Sequence, residues 1–260
     1  MLQAFSGLIS TMGEEGEPYM RASFSPVDLA TGSHALSGIL AAVIERGRTG
    51  KGTYLEVSLL DSSMMLMSYL AQNYWRSGKL PKRMGTAHPA LAPYQTFDAT
   101  DGALLIGCGN DAQWRRMCEL MGRPELATDP DFATNEARVR NFDRTVAAVA
   151  EKIAEKPVAH WLEVLAEAKL PCAPIHTVAQ ALEHPQVAAR KLLVETEHPV
   201  LGHIKNVGYP VRFEGEARKA ERTPPLLGQH TEEVLRELGY DDEAIAALAT
   251  SGRIGAGDAA

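Results

Sequence analysis

An α/β fold is what the sequence predicts, on three observations. A β-branched, alternating segment, Thr53-Tyr54-Leu55-Glu56-Val57, lies between two helical patterns near the front of the chain. The runs Tyr94–Phe97 and Ala103–Gly107 flank an Asp101-Gly102 turn, which is a hairpin signal. Further helical patterns follow that hairpin, so a small α+β domain succeeds the first segment. The expected organisation is part of a large domain over 1–78, a linker and loop over 79–96 and the small α+β domain over 97–185. A return linker over 186–260 ends in helices that pack on the large domain.

Each element has a local cause. Asp28 stands before the run Leu29–Arg48, where Leu36, Ile39, Leu40, Val43 and Ile44 recur at helical spacing, and is placed to cap it. Basic residues and glycines in Arg48-Thr49-Gly50-Lys51-Gly52 suit its end and the turn beyond. The strand at 53–57 follows, then Met- and Leu-rich helical texture over Asp61–Trp75. Gly78, Pro81, Gly85, Pro89 and Pro93 punctuate 78–96 as a loop. After the hairpin, Asn110 caps a helix to Met121, and two more helices cover Phe142–Glu155 and Val158–Ala168, the second beside Pro157. Two prolines extend Leu170–Ile175, and a short helix starts at Thr177. Short strands are expected near Val194–Glu197, Ile204–Val207 and Val211–Phe213, then a charged stretch, Glu214–Arg222. The segment Thr223–Gly228 is not helical, helices cover His230–Leu238 and Asp241–Ala249, and the tail from Gly252 is loose.

Composition narrows the chemistry. Of the 260 residues 45% are apolar and 23% charged, which excludes a disordered chain. The balance of 26 basic against 33 acidic residues gives a net charge of −7, which argues against nucleic acid as a partner. Three scattered cysteines without a C-x-x-C pair indicate a reducing, cytoplasmic setting. The longest apolar run, Ala35–Ile44, is half of what a membrane span needs, and residues 1–10 lack the marks of a signal peptide. No membrane is expected.

Most apparent motifs fail. Gly50-Lys51-Gly52-Thr53 lacks the Walker spacing and leads from helix into strand, the wrong order for holding a phosphate. Gly107-Cys108-Gly109 has neither the third glycine nor the acidic residue of a dinucleotide fingerprint. The eight histidines show no metal-ligand spacing, so no metal is expected. There is no G-x-S-x-G elbow. Two features survive. Asp28 is either a plain helix cap or a carboxylate held ionised by backbone N–H groups and the helix dipole. The stretch Gly85-Thr86-Ala87-His88-Pro89-Ala90-Leu91-Ala92-Pro93-Tyr94 is either a mobile cover for a site or a domain linker.

Taken together, these segments resemble the class III CoA-transferases, the CaiB/BaiF type that includes formyl-CoA and carnitine CoA-transferases. The matching pieces are Gln3–Leu8, Pro26–Gly32, Arg48–Gly52, Val57–Asp61, the Gly85-to-Tyr94 loop, Leu170–Pro174 and Pro225–Thr231, in family order. The resemblance implies a partial Rossmann-like large domain plus a small α+β domain, in an interlocked dimer. It implies an acyl-CoA:carboxylate CoA-transferase with Asp28 as nucleophile. The aspartate would attack the thioester, pass through a mixed anhydride to an aspartyl-CoA thioester, and then hand CoA to an acceptor acid. The loop matches the family's flap, with Gly85 retained and His88 facing the acceptor. No cofactor is tightly bound; the coenzyme A thioester is a substrate, and a small carboxylic acid is the other partner. The opening part of a typical member is absent, so a homodimer or a separate chain supplying that part is expected. Two other readings stay open: proton transfer of the α-methylacyl-CoA racemase kind, and a non-catalytic or partner-dependent fragment.

Overall fold

The computed structural model describes residues 1–217 and 222–255. A single-turn helix α1 (Leu2–Phe5) precedes the longest helix, α2 (Pro26–Thr49). Proline at the first helical position forfeits no hydrogen bond and presets φ, so the helix begins at Pro26 and not after Asp28. Ser25 occupies the cap position and Asp28 falls within the first turn, which corrects its expected role as cap. At the other end Gly50 takes φ +71° and donates its N–H to the Arg46 carbonyl at 2.8 Å, the left-handed stop that glycine allows.

The helix expected over 61–75 is two. Helix α3 (Leu59–Leu66) is capped by Ser58, whose hydroxyl accepts the Asp61 N–H at 3.0 Å, and α4 (Ser68–Ser77) restarts after Met67. Helix α2 packs on α3 through a polar contact, His34 Nδ1 to Ser62 Oγ at 3.0 Å, with Ser62 and Ser63 both buried. Between the two helices the strand expected at 53–57 does not form. Its β-branched alternation expresses a preference, but no neighbouring backbone among the described residues offers it a ladder, and Tyr54 is 85% exposed. With a mean hydropathy of 1.5 over its most apolar window, α2 is also long and apolar enough to cross a membrane. The contiguous run at 35–44 understated this, because an average over the helix lets the aliphatics offset Asp28 and His34.

The hairpin forms as β1 (Tyr94–Ala99) and β2 (Gly102–Gly107), in the register Phe97↔Leu104, with Thr100-Asp101 as the turn, one residue earlier than expected. Strand β3 (Cys172–Pro174) adds antiparallel to β2. One face of this sheet, with Phe97, Leu104 and Ile106, is buried beneath helices. The first is α5 (Asp111–Leu120), where Asn110 accepts the Gln113 N–H at 2.9 Å. Its Trp114, Met117 and Cys118, with Met121 just beyond, keep the i, i+3, i+4, i+7 spacing that puts an apolar stripe against the sheet. Helices α6 (Asn135–Arg140), α7 (Phe142–Ile153) and α8 (Val158–Glu167) follow, and α7 and α8 add Val149, Ile153, Trp161 and Leu165 to the core.

The chain divides into two compact units, Met1–Ile175 and a second beginning at His176. The second unit opens with α9 (Val178–Glu183), started by a reciprocal cap between Thr177 and Gln180, and α10 (Pro185–Ala189). Two antiparallel pairs follow, β4 (Leu193–His198) with β5 (Gly202–Val207), and β6 (Arg212–Phe213) with β7 (Glu216–Ala217). Helices α11 (Thr231–Glu237) and α12 (Asp242–Thr250) complete it. Residues 218–221 of the expected charged stretch, and 256–260 of the expected loose tail, lie outside the described residues.

Candidate active site

Pro26 determines where Asp28 stands. Starting the helix there puts the carboxylate in the first turn of α2, at the positive end of a 24-residue dipole. The N–H groups of the first turn have no intrahelical acceptors by construction, apart from Leu29 N–H, which reaches the Ser25 carbonyl at 3.1 Å. The carboxylate is exposed and takes no hydrogen bond from any described residue. It lines a cleft of about 390 Å³ with Gln3, Arg21, Ser25 and Leu59. Gln3 Oε1 accepts the Ala22 N–H at 3.0 Å and Arg21 Nη1 donates to the Ala22 carbonyl at 2.9 Å, which ties the segment at 21–22 to α1 beside the cleft.

The loop at 84–93 is tied at both ends. Gly85 takes φ +59°, which favours glycine, and donates its N–H to the Gly13 carbonyl at 2.8 Å. The Thr86 hydroxyl bonds the Thr96 hydroxyl at 2.8 Å and accepts the Thr96 N–H at 3.0 Å. His88 is half-buried; its N–H donates to the Tyr94 carbonyl at 2.9 Å and its ring lies 5.5 Å from that of Tyr94. The Tyr94 ring in turn occupies the space over Gly107, where a Cβ would sit 2.7 Å from it.

Asp28 and Gly85 line separate cavities, the second of about 300 Å³ with Tyr69, Lys79, Lys82 and Pro89, and His88 lines neither. No group of three or more potential metal ligands occurs among the described residues. The cysteines do not offer a nucleophile: burial pushes the Cys108 and Cys118 thiols up to about 12, and raises that of Cys172.

The sequence reading missed Arg138, which has no solvent-exposed surface. Its guanidinium donates to the carbonyls of Ala92 at 2.7 Å and Phe132 at 2.9 Å and to Asp111 Oδ1 at 3.0 Å, and lies over the Trp114 ring at 5.2 Å. A buried charge of this kind holds only when fully partnered. The partners sit in three different segments, so no local pattern announces them.

Comparison with known proteins agrees with this architecture. The sequence profile described as CoA-transferase family III matches residues 1–231. The chain is 37% identical over 250 residues to a human protein named succinyl-CoA:glutarate CoA-transferase, covering 96% of this chain and 57% of that one. It is 36% identical over 223 residues to an Acetobacter aceti protein named acetyl-CoA:oxalate CoA-transferase, covering 85% and 56%. The chain thus spans less than two thirds of the length of these relatives. A CAIB/BAIF family protein from Brucella suis superimposes with a TM-score of 0.74 at 35% identity, over 92% of this chain and 62% of that one. The mixed α/β architecture with its small sheets is that of these proteins, and the chain belongs to CoA-transferase family III.

Proposed function

We propose that this chain carries the nucleophile of an acyl-CoA:carboxylate CoA-transferase, and that the nucleophile is Asp28. The observation that carries the reading is its carboxylate, unpartnered by any described side chain, at the N-terminus of α2 in an open cleft. A carboxylate oxygen attacks the thioester carbon of an acyl-CoA, the C–S bond breaks, and CoA leaves as a thiolate from the mixed anhydride. The thiolate then attacks the aspartyl carbonyl, releasing the donor acid and leaving an aspartyl-CoA thioester, so the thioester's energy is kept. Attack by the acceptor carboxylate and return of the thiolate complete the exchange. The first-turn N–H groups of Val27 and Asp28 stabilise the oxyanions that develop beside them.

The relatives' names pair CoA with glutarate and oxalate. A short dicarboxylate is accordingly the proposed acceptor, with the Gly85-to-Tyr94 loop as the cover and His88 facing the acid. No tightly bound cofactor is needed by this chemistry, and the setting is cytoplasmic. Leu36, Ile39, Leu40 and Val43 on α2 are 43–54% exposed. We take their cover to be polypeptide equivalent to the part of the relatives that this chain does not span, with the completed protein a homodimer. A protein cover suits α2 better than lipid, since its other side already docks on α3 through the His34–Ser62 pair.

The test is intact mass after incubation with succinyl-CoA, for the chain alone and with the completing polypeptide co-expressed. The expected result is a CoA-sized adduct on the wild type and none on Asp28→Asn. An adduct on Asp28→Asn, or none on the completed wild type, removes Asp28 as the nucleophile.

A further inference from the structure

Asn135 opens α6, immediately after its cap residue Thr134, whose hydroxyl accepts the Ala137 N–H at 3.2 Å. With the cap supplied by Thr134 and the Asn135 N–H taken by Asp111 Oδ1 at 2.8 Å, the Asn135 side-chain amide is left over from helix formation. It turns to the loop instead. Nδ2 donates to the Ala90 carbonyl at 2.9 Å, and Oδ1 accepts the Ala92 N–H at 3.3 Å. One planar amide thus grips the loop on both sides of Leu91, and Arg138 holds the Ala92 carbonyl from the same helix.

The gripped residue is the one that sets the histidine. Ala90 N–H donates to His88 Nδ1 at 3.1 Å. A neutral imidazole that accepts at Nδ1 carries its proton on Nε2. Nε2 has no partner among the described residues. It is a donor held ready, with its tautomer fixed by the backbone and the backbone fixed by Asn135. A carboxylate oxygen is the partner that a neutral N–H donor of this kind suits.

We propose that Asn135 is a positioning residue for His88: by clasping Ala90 and Ala92 it locks the imidazole as the Nε2–H tautomer, aimed to donate to a carboxylate oxygen of the acid substrate. The substrate side of this statement rests on the role proposed above for His88; the clasp itself does not.

The experiment is long-range proton–nitrogen NMR of the full chain carrying ¹⁵N-labelled histidine, with His88 assigned by His88→Gln. In the wild type the expected pattern is a single tautomer, protonated on Nε2. Asn135→Ala removes both grips. Asn135→Asp keeps the acceptor for Ala92 N–H but sets a carboxylate oxygen against the Ala90 carbonyl, while a carboxylate in the first turn favours the helix. In both variants the two ring-nitrogen shifts of His88 should converge as the tautomers mix, with circular dichroism unchanged. Should Asn135→Ala fail to fold, Asn135→Asp decides the matter. A wild-type His88 protonated on Nδ1, or an unshifted His88 pattern in a folded variant, overturns the proposal. Glutarate added to the wild-type sample reads the other half: a stationary His88 signal beside an intact clasp signature overturns the acceptor role of His88 and leaves the clasp standing.

Discussion

Arg138 is a side chain whose removal leaves more behind than it takes away. Arg138→Met fills similar volume but orphans the carbonyls of Ala92 and Phe132 and leaves Asp111 Oδ1 with the Asn135 N–H alone. Each buried carbonyl left without a partner costs about 1–3 kcal/mol. The expected result is a lowered urea midpoint for the first unit, followed by tryptophan fluorescence, and a circular dichroism spectrum still native in water. The buried thiols give a second measurable consequence. Cys108 and Cys118 stay protonated in the folded chain to about pH 12, against 9.0 for the ordinary thiol. Iodoacetamide at pH 8 should label neither until the protein is unfolded. The sign of the linkage follows: the unfolded chain gives up these protons first, so stability is full below pH 9 and falls as pH rises toward 12.

Elements with local causes were legible in the sequence. Asn110 and Thr177 cap the helices expected of them, because a cap depends on residues within one turn. The hairpin was readable from its alternation and turn, with the turn displaced by one residue. The strand at 53–57 was not, since a strand is completed by a neighbour and alternation says nothing about whether one is within reach. The site divides in the same way. Asp28 stood out as a carboxylate at a helix start, its proposed role came from the resemblance of Pro26–Gly32 to a family segment, and its place within the first turn follows from Pro26. Asn135 was invisible, because its meaning lies in carbonyl and N–H groups some 43 to 45 residues away in sequence. At this scale α2 carries a prediction of its own. Ile39 and Val43 lie one turn apart, 51% and 46% exposed. The double change Ile39→Asp, Val43→Asp should leave the helix content of the chain unaltered and abolish co-purification with the completing polypeptide. Retained co-purification would mean that this side of α2 stays in water.

For the whole molecule, the distribution of burial is uneven in an informative way. Fifteen buried residues form one core around the β1–β2–β3 sheet, all from 97–170. Residues 1–78, by contrast, expose large side chains along most of their length, Phe5, Phe24, Leu29, Ile44 and Trp75 among them. Within the first unit the chain therefore holds one packed core beside a segment whose apolar surface calls for a cover, at about 25 cal/mol for every Å² taken from water. The proposed nucleophile lies in that segment, and the end of the proposed cover loop is anchored to α6 by Asn135 and Arg138. The loop is thus held at its start by Gly13 of that segment and at its end by the packed core.

Gly107 adds something to that division of labour. The missing Cβ is what admits the Tyr94 ring, and that ring stands 5.5 Å from the imidazole of His88. The shape of the proposed acid-binding surface is therefore written partly in a hydrogen atom on the neighbouring strand, at a residue with no functional group at all. On the role proposed for His88, a redesign that alters only the residues meeting the acid would be adjusting the hand while the wrist is set elsewhere.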